Sequence, residues 1–343
     1  MTKASAQILV TGAGGFIGSA LLRPLAETYG AVLAGIRRKR PELSGQIKIL
    51  SCDLDHPAEV HAAMRGVDLV IHAAYGDEAA MSRQCKTLLD AMSQAGTPSL
   101  IALSSIAIYG LRAGSVAETT PPAPPLGRYA REKSQCEAQI VNWSAGDEKR
   151  RAIVLRPGIV YGAHSPLWIE KMAARIASGG WGVFGRRGEG HAALIHVDDL
   201  AQQVLAASRL LTAPQRLEQP HFRPLNAVGP EAPSWNGYFA ALARATGAAP
   251  LRQWSQGELA LRQALGIPAK IARRLHLPFG TAASLAPTPG EMELFALKAD
   301  YSGAAAAKAL GFQPRIGLAE GLARSLPASR DSHCDQGAQP EGP

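Results

Sequence analysis

Residues 7–18 read QILVTGAGGFIG: an apolar run over Gln7–Val10, glycines at positions 12, 15 and 18, and the start of an amphipathic stretch, Phe16–Thr28. An apolar run that ends in glycines and opens a helix is the strand–turn–helix that cradles a dinucleotide pyrophosphate. Gly12, Gly15 and Gly18 permit a tight turn, approach of backbone to phosphate and close helix–strand packing. The helix N-terminus, with Phe16 and Ile17 in its first turn, adds amide donors and a favourable dipole.

Downstream of this unit, apolar runs keep alternating with amphipathic stretches. The pattern predicts strands at Ala31–Ile36, Ile47–Ser51, Leu69–His72, Leu100–Ser104 and Ala152–Arg156. Helices are expected at Ala58–Arg65, Ala80–Ala95 and Arg128–Trp143. Such alternation calls for an α/β fold, a doubly wound parallel sheet covered on both faces. Beyond Tyr161 the pattern loosens. Helices are expected at Leu167–Ser178, Ser234–Thr246, Glu258–Leu265 and Ala269–Leu275, with Gly- and Pro-rich connections such as Gly179–Gly190 and Pro278–Gly290. Val197–Leu210 predicts a helix that returns to the first domain. The expected organisation is a Rossmann domain over 1–161, rejoined by 192–229, and a smaller, mostly helical substrate lobe made of 162–191 and 230–327. A polar, aperiodic tail over 328–343 is expected to be disordered.

The end of the second strand bears on cofactor type. An NAD site usually places an acid there for the ribose 2′-hydroxyl. Here AVLAGI runs into Arg37, Arg38, Lys39 and Arg40, with no acid until Glu42. A 2′-phosphate would be welcome, so NADP(H) is expected in preference to NAD(H), with Arg37 as its partner. Ser105, Tyr129 and Lys133 supply the chemistry. Tyr129 and Lys133 stand i, i+4 in YAREK and share one face of a helix. A nearby ammonium and the positive oxidised nicotinamide both favour phenolate, which makes Tyr129 a workable acid/base. Ser105 closes the apolar strand LIALSS, where its hydroxyl can hold the reacting oxygen.

With these residues in order, the chain resembles an extended short-chain dehydrogenase/reductase of the NAD-dependent epimerase/dehydratase family over about residues 7–325. The resemblance rests on TGAGGFIG (Thr11–Gly18), CDLD (Cys52–Asp55), HAA (His72–Ala74), LSSIAIYG (Leu103–Gly110), YAREK, LRPGIVYG (Leu155–Gly162), IHVDDLA (Ile195–Ala201) and LGFQP (Leu310–Pro314). It implies that Asp53 and Leu54 flank the adenine, that Ala73 and Ala74 line the cofactor cleft, that Pro157 sits near the nicotinamide and that Arg37 meets the 2′-phosphate. It also makes Ser105, four residues before Tyr109 of the YG pair, the family serine. Lys133 would hold the ribose and lower the pKa of Tyr129. His72 and His196 read as structural histidines.

Departures bear on substrate. Sugar-nucleotide epimerases of this family commonly carry an Arg-Asp pair just before the IHV segment, where this chain has Ala192 and Ala193. Their usual asparagine after HAA has no match near Met81–Lys86. Arg175, Arg186 and Arg187 are the available substitutes for a diphosphate clamp. The late segment Leu277–Phe312 resembles the lobe of members acting on hydrophobic alcohols and ketones, such as 3β-hydroxysteroid and dihydroflavonol enzymes. The expected activity is hydride transfer between NAD(P) and a carbinol or ketone carbon. The alternatives are a nucleotide-sugar epimerase or dehydratase that retains its cofactor, and a nicotinamide-sensing regulatory protein, a class that tends to lose the tyrosine and lysine kept here.

Composition narrows the remaining classes. The chain has 343 residues, 46% hydrophobic and 19% charged, enough to bury a full core. No apolar run approaches the ~20 residues of a membrane span. MTKASAQILV lacks the apolar stretch and cleavage site of a signal peptide, so a cytoplasmic location is expected. The net charge of +8 comes with arginines spread along the chain and no nucleic-acid motif. The expected partners are a small-molecule substrate and a second copy of the chain, paired through Ala80–Ala95 and Arg128–Trp143 as in many members of the resembling family, with no nucleic acid and no membrane. The four cysteines, Cys52, Cys85, Cys136 and Cys334, have no CxxC spacing. That argues against a zinc site or a disulfide framework and leaves them as idle thiols.

Overall fold

The computed structural model describes residues 6–37, 47–124, 127–274 and 286–326, with backbone only over 266–274. Arg38–Arg40, Glu42, most of the connection 278–290 and the expected tail 328–343 lie outside the described residues. In chain order the elements are β1 (Ile8–Thr11), α1 (Phe16–Tyr29), β2 (Val32–Ile36), β3 (Ile47–Ser51), α2 (Pro57–Ala63), β4 (Leu69–His72), α3 (Met81–Ala95), β5 (Ser99–Leu103) and β6 (Gly114–Val116). There follow α4 (Gly127–Ala145), β7 (Arg151–Pro157), β8 (Ile159–Tyr161), α5 (Lys171–Ala177), β9 (Leu194–His196), α6 (Val197–Thr212), β10 (Phe222–Ala227), α7 (Trp235–Ala245) and α8 (Gln256–Arg274). The chain then forms α9 (Pro289–Ala296), β11 (Ala299–Tyr301), α10 (Ala304–Leu310) and α11 (Leu318–Ser325).

Seven strands make one parallel sheet in the order β10-β7-β5-β4-β1-β2-β3. β1, β2, β5 and β7 are buried along their whole length, which is why they read as continuous apolar runs rather than alternating ones. One face packs on α1 and α6 through Leu21, Leu25, Leu200 and Val204. The Tyr29 hydroxyl pins those helices together, 3.0 Å from Ser208 Oγ and 3.1 Å from Thr212 Oγ1. The other face packs on α2, α3 and α4 through Val60, Leu88, Met92 and Ile140. Strand order reverses at β1, which pairs with both β2 and β4, and so opens a crevice at the carboxyl ends of β1 and β4.

A separate aromatic core lies in the later half. Trp181, Phe184, Trp235, Phe239 and Phe295 are buried against one another with ring centroids 4.7–6.1 Å apart. Two small parallel pairs, β8–β9 and β11–β6, tie this region to the sheet's carboxyl edge.

One expectation needs correction. The sequence suggested two helices broken around Gly266–Pro268, whereas the backbone runs as a single helix from Gln256 to Arg274. A proline costs a helix one N–H bond and a clash, but its fixed φ is itself helical, so length and packing elsewhere can carry the helix through.

Candidate active site

The turn between β1 and α1 is built as its glycines require. Gly12 takes φ +71°, and a Cβ there would lie 2.4 Å from Ala74 Cα and 2.6 Å from Ala74 N. A Cβ on Gly18 would lie 2.1 Å from the Gly12 carbonyl oxygen, so the first turn of α1 can pack on the loop only without one. The first helical hydrogen bond is Ser19 N–H to Gly15 O at 2.9 Å, which leaves the Phe16, Ile17 and Gly18 amides ahead of it. No acid stands in that first turn. A side-chain-free cradle, unpaired amides and no opposing carboxylate fit a dinucleotide pyrophosphate.

Along the β2–β4 side, Arg37 is exposed at the end of β2. A Cβ on Gly76, in the loop after β4, would lie 3.9 Å from its Nη2. Its charge reaches Asp55, whose carboxyl is held below its ordinary range by a hydrogen bond from Gln84 and by Arg83, with Arg37 adding to the effect. Asp53 closes a local turn by accepting Asp55 N–H at 3.1 Å, and Leu54 is buried. Ala73 donates its N–H to Thr11 O at 3.2 Å, and Ala74 lies under the glycine loop. Pro157 ends β7, buried beside Ala227 of β10.

Ser105, Tyr129 and Lys133, the candidate trio, converge on the carboxyl edge of β5. Ser105 follows that strand and accepts Ala107 N–H at 3.1 Å, capping the short helical turn Ile106–Tyr109. The Tyr129 phenol stands close by, and the Ser105 hydroxyl draws its pKa down. Tyr129 is half-buried, and burial pushes its pKa above the usual phenol range, with the Ser105 hydroxyl opposing and Glu78 adding to the rise. Lys133 lies one turn further along α4, fully buried, and its Nζ donates to Leu103 O at 2.7 Å, 5.9 Å from the Tyr129 ring centroid. Burial lowers its pKa, and Cys136, Cys85 and Glu137 push it back up. The i, i+4 spacing implies an ammonium that, with the oxidised nicotinamide, favours phenolate. Here burial outweighs the Ser105 hydroxyl, Glu78 adds to the rise, and the neutral phenol is favoured.

Several residues of this region carried no sequence signal. Tyr75 sets its edge against Tyr129, with ring centroids 5.9 Å apart at 76°, and its hydroxyl donates to Glu78 Oε1 at 3.4 Å. Both lie just after the HAA segment, at the mouth of the crevice, which is the one hint the sequence offered. Beneath the trio, Glu137 takes Arg156 Nε and Nη2 at 3.1 and 2.6 Å. Arg156 Nη1 donates to the Tyr109 hydroxyl at 2.7 Å, which donates to Asn226 Oδ1 at 2.8 Å. The two histidines have structural surroundings. His72 Nδ1 lies 2.9 Å from Thr11 Oγ1, and burial with the Lys133 charge lowers its pKa to about 3. His196 caps α6 by accepting Asp198 N–H at 3.3 Å. Among the described residues no cluster of His, Cys, Asp or Glu could hold a metal ion, and no helix is long and apolar enough to cross a membrane.

A parallel sheet with a glycine cradle at its switch point and a Ser–Tyr–Lys trio at its carboxyl edge defines an extended short-chain dehydrogenase architecture. A sequence profile of the NAD dependent epimerase/dehydratase family matches residues 8–221, and the chain belongs to that family. It is 28% identical over 229 residues to a 2-alkyl-3-oxoalkanoate reductase of Shewanella oneidensis, a match covering 60% of this chain and 57% of that protein. The chain thus spans little more than half the length of the curated relatives it matches. Its fold is similar to that of MoeE5, solved in complex with UDP-glucose and NAD, with TM-score 0.69 and 23% identity over 93% of this chain and 97% of that one. It is equally similar to the UDP-glucuronic acid 4-epimerase of Bacillus cereus, solved with UDP-glucuronic acid and NAD, with TM-score 0.71 and 19% identity over the same shares.

Proposed function

We propose that the chain is an NAD(P)-dependent oxidoreductase that passes hydride between a nicotinamide and a carbinol or ketone carbon of a small molecule. The observation that carries this reading is the meeting of Ser105, Tyr129 and Lys133 at the carboxyl edge of a parallel sheet, beside a cradle that a side chain at position 12 would fill. The dinucleotide, when bound, supplies the carbon that gives or takes the hydride. The remaining work belongs to the protein. Because Ser105 Oγ already accepts Ala107 N–H, its own proton is left to donate to the phenol or to a substrate oxygen. Burial favours the protonated form of Tyr129, the form that delivers a proton to a carbonyl oxygen during reduction. Lys133, one turn away, would hold the ribose and bring positive charge beside the phenol. In the same reading Phe16, Ile17, Asp53, Leu54, Ala73, Ala74 and Pro157 line the cofactor site, and Arg37 favours NADP(H) over NAD(H).

The substrate we read as a hydrophobic ketone or alcohol. Ala192 and Ala193 are buried where a nucleotide-sugar site would carry Arg-Asp, and Arg175 is held by Glu291 at 2.9 Å. The exposed apolar side chains Tyr75, Leu111 and Leu167 follow β4, β5 and β8, on the side of the sheet where the crevice opens. The name of the Shewanella relative, a reductase of 2-alkyl-3-oxoalkanoates, points the same way. The second reading is an epimerase or dehydratase cycle on a nucleotide sugar. It draws support from the UDP-sugars in the similar structures and from exposed Arg186 and Arg187. The division into a Rossmann domain and a substrate lobe, a cytoplasmic location and a homodimer through α3 and α4 complete the proposal. A screen of aliphatic, steroidal and flavonoid ketones against UDP-sugars, followed at the reduced-nicotinamide band with both cofactors, tests it. Net NADPH oxidation by an apolar ketone supports reduction. Interconversion of a UDP-sugar with a retained nucleotide and no net oxidation would overturn it.

A further inference from the structure

Two cysteines that hydride transfer does not use meet beside its lysine. Cys85 projects from α3 and Cys136 from α4, and the two thiols lie close enough to shift each other's pKa. Cys85 Sγ also lies 4.0 Å from the Cys136 carbonyl oxygen. Cys136 is half-buried and lines, together with Lys133, Ser104 and His72, a cavity of about 20 Å³. That is room for roughly one water-sized molecule. The Ser104 hydroxyl is buried there and has no hydrogen-bond partner among the described residues, so the cavity offers a small polar guest a ready contact.

We infer that Cys136 and Cys85 form a peroxide-reactive dithiol site, with Cys136 as the attacking sulfur and Cys85 as the resolving one. The assignment of roles follows from access: Cys136 lines the cavity, whereas Cys85 is fully buried and is not part of that lining. The neighbouring Cys85 thiol and the Lys133 ammonium pull the Cys136 thiol below its ordinary range, against burial and the carboxylates of Glu132 and Glu137. The same pairing, with burial, pushes Cys85 up. The sulfur that reaches the cavity and is the easier to ionise attacks, and the buried one resolves. Cys52 is the internal contrast: burial, Glu59 and Asp53 raise it to about 12, and it has no thiol neighbour among the described residues.

The chemistry balances with hydrogen peroxide as the oxidant. The Cys136 thiolate attacks one peroxide oxygen, the O–O bond breaks, and the departing hydroxide takes a proton to leave as water, giving a sulfenic acid on Cys136. The Cys85 sulfur then attacks the Cys136 sulfur, the S–O bond breaks, and a second water leaves with the Cys85 proton. Two thiols are oxidised to one disulfide and one peroxide is reduced to two waters. The disulfide would join α3 to α4 and remove both thiols from the set that keeps Lys133 charged, leaving Glu137 alone in that role. The site is therefore a redox handle on the buried lysine, whatever substrate the crevice takes.

The test uses the full chain with Cys334→Ser, so that the C-terminal thiol does not report. Limiting hydrogen peroxide should lower the intact mass by about 2 Da, reversibly with dithiothreitol. Peptide mapping should place the bond between Cys85 and Cys136 with Cys52 still reduced. Adding Cys85→Ser should stop the reaction at a dimedone-trappable sulfenic acid on Cys136. Because a variant can misfold, iodoacetamide labelling is also run without any change at Cys85 or Cys136. There Cys136 should react at least about tenfold faster than Cys52 near neutral pH. Equal labelling rates, or peroxide treatment that yields no Cys85–Cys136 cross-link, would overturn the inference.

Discussion

The buried ion pair beneath the trio makes a quantitative prediction. Arg156 and Glu137 are only 5% and 9% exposed, and the carboxylate takes two guanidinium N–H groups at 3.1 and 2.6 Å. Glu137→Gln keeps the shape but offers one acceptor and one NH2 group where two acceptors stood. One guanidinium donor then faces another donor, and the arginine charge is left in a dry site with neutral acceptors alone, the new amide oxygen, the Tyr109 hydroxyl and Glu118 O. Breaking one side of a buried pair costs about 3–5 kcal/mol, against roughly 0–1 for a pair screened by water. Urea unfolding followed by tryptophan fluorescence reads this directly, provided the slope with denaturant is unchanged. The paired replacement Glu137→Met with Arg156→Met should recover much of the loss, because it removes both charges together. A loss of about 1 kcal/mol or less for Glu137→Gln would show that the pair is not desolvated and would refute this reasoning.

Two further outcomes follow from the site. His72 is held at about 3, below the ~6.5 of an unfolded histidine, so the unfolded chain binds the extra proton between those values. Stability should therefore fall as pH drops from about 6.5, by up to ~1.4 kcal/mol per unit, and His72→Asn should lack that share of the slope. Parallel urea midpoints in the two proteins across this range would remove His72 as the cause. Arg37→Ala should weaken NADPH binding by about 1.5–3 kcal/mol and leave NADH nearly unchanged, as for loss of one charge-assisted hydrogen bond. An unmutated chain that binds NADH as tightly as NADPH in titration calorimetry would contradict it.

The first half of the fold was legible because parallel strands covered on both faces leave unbroken apolar runs, and β3 and β4 lie at the residues the pattern marked. The later strands left weaker traces. β10 contains Pro224, which an edge strand tolerates and a sequence pattern rejects, and β6, β8, β9 and β11 have three residues each, too few for any period to register. In the site, Ser105, Tyr129 and Lys133 were visible because strand end and i, i+4 spacing place them locally. Glu137 is also i, i+4, from Lys133, but its partner Arg156 lies on β7, and only the tertiary fold pairs them. Glu78 and Tyr75 escaped for the same reason. The cysteines were read as idle from their sequence spacing, which says nothing of the contact between α3 and α4 that joins two of them.

Tyr129→Phe is the most direct test of the proton-transfer assignment. The substitution removes one hydroxyl beside Ser105 while keeping the ring against Tyr75. On a confirmed substrate, turnover should fall about 10²-fold or more, the usual scale for lost acid–base assistance, while the cofactor dissociation constant and the melting temperature stay near those of the unmutated chain. Full turnover by Tyr129→Phe would contradict the Ser105–Tyr129–Lys133 mechanism outright.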